Sequence, residues 1–306
     1  MSPRDLLLAL VVVFVWGVNF VVIKVGLHGV PPLLLGALRF VFVVVPSIFF
    51  VPRPPVPWRW LLAYGLVISF LQFALLFSAI NLGMPAGLAS LVLQAQAFFT
   101  LVFARLFLGE TIRATTVAGY GVAAVGLAVI GTQLGHAMTL AGFMLTLAAA
   151  VSWSVGNIIT RRIGKVDPMG LVVWGGLVPP LPFLAMSWLL EGPTQIRGAL
   201  AGVTITTGFS VAYLSFASTL VGYGLWSRLL ARYPAGSVAP FSLLVPVVGL
   251  TSAWLLLGEQ LTVPQFYGIV LVLAGLAFST FAARFPRLAG VRPAAAAAPA
   301  ARQRTP

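Results

Sequence analysis

Ten long apolar stretches, separated by short connections, constrain this chain more than any other feature. They run over 6–27, 31–51, 59–80, 85–107, 115–133, 137–160, 168–190, 203–226, 235–257 and 264–284. A helix needs about 20 apolar residues to cross the ~30 Å hydrocarbon core of a bilayer, and each stretch is close to that length. The runs are continuous and lack the strict alternation of a membrane barrel strand. Connections carry breakers such as Gly29-Val30-Pro31-Pro32, Pro52-Arg53-Pro54-Pro55, Gly83-Met84-Pro85, Gly192-Pro193 and Tyr233-Pro234. The predicted class is an all-α membrane protein of ten transmembrane helices. Composition agrees: 60% of residues are hydrophobic and 8% charged, against roughly 25% charged in a soluble domain. A soluble enzyme, a disordered chain and a nucleic-acid-binding domain are thereby excluded. The first stretch is too long for a signal-peptide core and nine more follow it, so it reads as a retained span. Residues 285–306 are rich in Ala, Pro and Arg and read as a disordered cytoplasmic tail.

The net charge of +13 comes from scarcity of acid, with 18 Lys and Arg against 5 Asp and Glu. Position matters more than the sum. With ten spans both termini share a side, and 15 of the 18 basic residues fall on it, among them Arg4, Arg105, Arg161, Arg162, Arg228 and Arg232. Lys24 and Arg197 fall opposite, and Arg39 lies inside the second span. Basic residues are retained in the cytoplasm during insertion, so both termini are predicted to be cytoplasmic, with no nucleic-acid partner. The chain has no cysteine and two histidines, His28 and His136. No metal site or cofactor is expected.

The sequence also repeats itself. Pro85-Ala86-Gly87 recurs 149 residues on as Pro234-Ala235-Gly236, and Leu108-Gly109-Glu110 recurs at the same offset as Leu257-Gly258-Glu259. Gly119 and Gly126 map to Gly268 and Gly275, giving 13 identities over the 44 positions 85–128 without a gap. Trp16-Gly17-Val18 and Trp153-Ser154-Val155 match more loosely, at offset 137. Five spans per half force the second half to insert upside down, and the charges agree. Arg105 and Arg113 flank the first Leu-Gly-Glu, whereas Trp254 and Thr262 stand at those places in the second. The domains predicted are 1–135 and 136–284, two inverted five-helix repeats around a central cavity. Inverted repeats characterise secondary transporters, with substrate held near the midplane between the halves.

The early Trp16-Gly17, Ala37-Leu38-Arg39-Phe40 in the second span and the paired Pro-Ala-Gly and Leu-Gly-Glu blocks resemble the EamA branch of the drug/metabolite transporter superfamily over about 5–284. Within it the chain looks most like the YddG-type bacterial exporters of aromatic and other neutral amino acids. That resemblance implies a multi-pass protein of the bacterial inner membrane. It also implies a basket-like bundle whose cavity is lined mainly by the third, fourth, eighth and ninth spans, with the first and sixth contributing.

Polar groups in hydrocarbon are costly and mark paths or helix contacts. In the spans so implied the substrate-binding candidates are Gln72 and Ser78, Gln94 and Gln96, Tyr213 and Ser215, Ser242, Asn19 and Asn157, with Ser218 and Tyr223 beside them. Trp16, Trp153, Phe98 and Phe99 offer aromatic faces for an apolar side chain. A membrane serine more often bonds its own backbone, and Gln94 and Gln96, two apart on a helix, are expected to face different ways. Pro240 and Pro246 free backbone carbonyls and are hinge or gating candidates. Gly119, Gly126, Gly268 and Gly275, spaced by seven within each span, read as close helix packing. Arg39, Glu110 and Glu259 read as structural, Arg39 retaining the option of attracting a carboxylate.

The five acids, Asp5, Glu110, Asp167, Glu191 and Glu259, all fall at termini or loops. No intramembrane carboxylate is present to relay protons, so facilitated rather than proton-coupled export is expected. The predicted partners are a small neutral or aromatic amino acid and the bilayer, and the protein is expected to act as a monomer. Export of other small metabolites or drugs is the main alternative, and a non-transporting membrane scaffold a lesser one. An intramembrane hydrolase would need a Ser–His pair, paired aspartates or a metal motif within the spans, and the sequence has none.

Overall fold

A computed structural model describes residues 1–135 and 138–281, with the backbone alone at Ala235 and Gly236. The predicted tail, 285–306, and the last residues of the tenth stretch lie outside the described residues. Among the described residues the chain is helical throughout, with no strand. The helices are α1 (Pro3–Gly26), α2 (Pro32–Ser47), α3 (Trp58–Asn81), α4 (Ala86–Leu108), α5 (Ala114–Gly131), α6 (Leu140–Ile163), α7 (Pro168–Gly175), α8 (Pro180–Leu190), α9 (Gly192–Ala201), α10 (Ile205–Arg232), α11 (Ala239–Leu257) and α12 (Val263–Phe281). Eight of these are long and apolar enough to cross a membrane: α1, α3, α4, α5, α6, α10, α11 and α12. The seventh apolar stretch forms the pair α7 and α8, bent by 41° before Pro179-Pro180, where a proline cannot donate to the helix ladder. The second stretch gives the shorter α2, of 16 residues. The outer faces are apolar; Leu189 and Ile205 stand 74% and 92% exposed, as a lipid-facing surface requires.

Helix ends show how the chain satisfies its orphan N–H groups in an apolar medium. Thr139 and Asp167 cap α6 and α7 with their own side chains. Helices α2 and α4, whose N-cap positions are Pro31 and Pro85, have no such residue and borrow one. Glu191 accepts the N–H groups of Leu33 and Leu34 at 2.6 and 3.2 Å. Glu259 accepts those of Ala86 and Gly87 at 2.7 and 2.9 Å. A carboxylate at a helix N-terminus also meets the positive end of the macrodipole. Glu110 pairs instead with Arg161 at 2.6 Å, both half exposed. Helices α4 and α11 end alike, on Gly109 and Gly258 at φ 67° and 66°, a left-handed backbone suited to glycine.

The four paired glycines sit where α5 meets α12. A Cβ on Gly119 would stand 2.7 Å from the carbonyl oxygen of Gly275, and one on Gly126 2.6 Å from that of Gly268. Only hydrogen at these positions lets the backbones come so close.

Two stretches depart from α-geometry. Gly65–Leu71 in α3 and Tyr213–Val221 in α10 wind as π-helix, a form concentrated at functional positions. Side chains from neighbouring helices bond the carbonyls there: Ser152 Oγ donates to Val67 O at 2.7 Å, and Trp16 Nε1 to Ser218 O at 3.0 Å.

Candidate functional site

Both π stretches border a central cavity of about 570 Å³. Its wall is built from α1, α2, α3, α4, α6, α7, α10 and α11, while α5 and α12 stay outside. The third, fourth, eighth and ninth spans contribute as expected, with the first and sixth. The second and seventh add Arg39 and the Pro168–Val172 edge.

Of the sequence candidates the cavity gathers Trp16, Asn19, Gln72, Gln94, Gln96, Trp153, Asn157 and Ser242, with Ser218 and Tyr223. Gln94 and Gln96 both reach it. A turn at Leu93–Gln94 interrupts α4 between Val92 and Ala95, so the two glutamines do not follow one uninterrupted helical spacing. Gln96 Oε1 accepts from Asn157 Nδ2 at 3.0 Å, and the same amide nitrogen donates to Thr100 Oγ1 at 3.0 Å. Gln94 Nε2 reaches the carbonyl of Ser242 at 3.4 Å. These bonds tie α4 to α6 and to α11 across the cavity wall. The Trp16 ring lies 5.3 Å from both Tyr223 and Trp226, forming an aromatic corner.

Five candidates stand elsewhere. Phe98 and Phe99 line a separate side pocket of about 300 Å³, whose wall is apolar but for Gln94 and Tyr120 and includes Ala124, Phe143 and Leu276. Tyr213 donates its hydroxyl to Val15 O at 3.0 Å and Ser215 to Arg39 O at 3.0 Å, so each ties α10 to a neighbour. Ser78 is half-buried and borders neither cavity. Pro240 lies in a 3₁₀ turn, Ala239–Leu244, and Pro246 is buried in the first turn of the α-helix that follows it. Sequence reasoning missed Tyr64, Phe73, Ser90, Thr160 and Trp226 as wall residues. Only the aromatic content of Tyr64 and Trp226 in otherwise aliphatic runs could have pointed to them.

The least satisfied polar atoms of the cavity wall belong to three residues. Asn19 Oδ1, Gln72 Nε2 and both Nε and Nη1 of Arg39 are buried without a hydrogen-bond partner. None of the five acids borders the cavity, which is walled by amide, hydroxyl, aromatic and aliphatic groups plus the Arg39 guanidinium.

The EamA-like transporter family model matches residues 4–132 and again 140–281. The chain belongs to that family. A Salmonella typhimurium protein described as a "Probable amino-acid metabolite efflux pump" is 54% identical over 95% of this chain and 99% of its own length. An Escherichia coli protein of the same description is 52% identical over 93% and 97%. A "Probable terminal-alkyne amino-acid exporter" of Streptantibioticus cattleyicolor is 30% identical over 86% and 89%. A solved crystal structure at 21% identity shares the fold, with a TM-score of 0.63 over 93% of this chain and 98% of the other. This is a multi-pass membrane transporter.

Proposed function

We propose that this transporter exports small neutral or aromatic amino acids, and metabolites like them, from the cytoplasm across a bacterial inner membrane. The observation that carries the reading is identity above half, over almost the full length of both chains, to proteins described as amino-acid metabolite efflux pumps. The cavity chemistry supports it. Converging amide and hydroxyl dipoles suit a zwitterion, and the Trp16–Tyr223–Trp226 corner suits an apolar or aromatic side chain.

The mechanism we infer is alternating access between two inverted five-helix halves, 1–135 and 136–284, in a monomer. Its support is a set of matched features. The family model fits twice in succession. The π stretch Gly65–Leu71, moved on by the 149-residue offset, falls inside Tyr213–Val221. The glycine contacts pair Gly119 with Gly275 and Gly126 with Gly268. Exchanging the halves turns the first pair into the second, as a two-fold axis between α5 and α12 demands. Both termini are assigned to the cytoplasm on the sorting of basic residues. The cavity wall includes Thr160 and Leu230, next to the Arg161 and Arg232 ends of α6 and α10. At the opposite ends of α1, α2 and α3 it stops a turn or more short, which favours a state open to the cytoplasm.

The lack of an acidic group on the cavity wall favours facilitated export down the substrate's gradient. Proteoliposomes loaded with labelled phenylalanine test this. Efflux is expected with equal pH on both sides, and efflux that requires an imposed pH gradient contradicts it. Export of other small metabolites remains the competing reading, and the same vesicles loaded with them decide it.

A further inference from the structure

Among the described residues Arg39 is the one cation of the cavity wall, and it is 2% exposed. A guanidinium presents five donors and stays charged. Here Nη2 donates to Thr219 Oγ1 at 3.0 Å, and the guanidinium carbon stands 4.0 Å from the centre of the Phe73 ring. Nε and Nη1 have no partner. A buried charge left in this condition is costly unless something compensates it.

The protein's own acids do not. Asp5 is held by Ser2, Arg232 and Tyr233, and Glu110 by Arg161. Asp167 caps α7. Glu191 and Glu259 cap α2 and α4. All five carboxylates of the sequence are therefore engaged elsewhere. Nε shares one edge of the guanidinium with Nη2 and Nη1 shares the other, so the unpartnered N–H groups on both edges are free to donate to carboxylate oxygens. Gln72 adds an unpartnered amide nitrogen from α3, and Asn19 an unpartnered amide oxygen from α1.

We infer that Arg39, aided by Gln72, is the anchor for the α-carboxylate of the transported amino acid, with the Asn19 amide oxygen receiving its ammonium group. The assignment rests on the amino-acid export reading and deepens it. It makes the carboxylate a required part of the substrate and leaves the side chain to the aromatic corner. Because the guanidinium lacks a protein counter-charge, the substrate supplies it, and an anionic group is preferred at this end of the cavity.

The test uses full-length protein in proteoliposomes, with labelled phenylalanine efflux challenged by phenylalanine, phenylalaninamide and 3-phenylpropionate. In wild type, phenylalaninamide is expected to compete at least about tenfold more weakly than phenylalanine, the scale of one charge-assisted hydrogen-bonded contact, and 3-phenylpropionate to retain measurable competition. Arg39→Gln is expected to raise the KM for phenylalanine about tenfold or more while changing inhibition by the amide less than about threefold, so the acid/amide selectivity collapses. Arg39→Lys, which keeps the charge and loses the fork, is the second arm should the glutamine variant fail to fold. It is expected to raise the phenylalanine KM and keep the order acid over amide. A purely structural arginine would move acid and amide together, and that result overturns the assignment. Wild type that exports phenylalanine yet accepts the amide equally well overturns the anchor alone. Wild type that moves no amino acid overturns the export reading, and the anchor with it.

Discussion

The central cavity and the side pocket border the same residue, Gln94, and otherwise have little in common. The central one draws amide, hydroxyl, indole and guanidinium groups from seven helices. The side pocket, between α4, α5, α6 and α12, is walled almost wholly by aliphatic and phenyl groups, with Tyr120 at its edge. In a bilayer a dry apolar recess needs no compensation, whereas each polar atom facing the central cavity needs a partner or a use. Several of those atoms are bonded to each other across helices, and four have no partner. Under the proposed export function, recognition falls to the central cavity and packing to the side pocket.

Four substitutions sharpen or break that division. The largest effect is expected for Gly126→Leu, at the contact between α5 and α12. The side chain would enter backbone atoms of Gly268 and Val272, and a loss of roughly 3 kcal/mol or more is expected for such overpacking, read as a fall in melting temperature in detergent. Asn157→Leu comes next. It removes both bonds to Gln96 and Thr100 and is expected to lower flux by about tenfold or more, from two half-buried partners left unpaired. Trp16→Ala opens the aromatic corner and frees Ser218 O. Efflux of phenylalanine should fall about tenfold, and that of threonine by less, because the ring contact is worth about 1 kcal/mol beyond burial. The smallest effect is expected for Phe98→Leu in the side pocket, at less than about twofold in flux, since Phe98 is 40% exposed and the change keeps an apolar side chain. If Phe98→Leu abolished transport while Asn157→Leu left it unchanged, the roles of the two cavities would have to be exchanged.

What could be read from the sequence follows from what periodicity and cost encode. Apolar run length marked the membrane helices, because an unpaired backbone in lipid is so costly. Small residues spaced by seven marked the α5–α12 contact. Polar residues isolated in apolar runs, such as Asn157 and Gln96, marked the central cavity for the same reason. Orientation around each helix was less legible. The π stretches and the turn at Leu93–Gln94 shift the angular position of everything that follows, and no residue pattern announces them. Hence Gln94 and Gln96 share the cavity, and Phe98 and Phe99 turn to the side pocket. Arg39 read as structural because it lies in the second span, which the resemblance does not place among the cavity walls. The capping of α2 by Glu191, 157 or more residues away, is a tertiary contact that local sequence cannot show.

Counterflow measures the central claim most directly. Wild-type proteoliposomes preloaded with unlabelled phenylalanine, at equal pH inside and out, are given labelled phenylalanine outside. The expected result is transient accumulation of label that threonine, methionine and tryptophan suppress and glutamate and lysine do not. Absence of accumulation, or suppression by glutamate or lysine as strong as by tryptophan, would contradict a largely uncharged chamber that selects neutral amino acids.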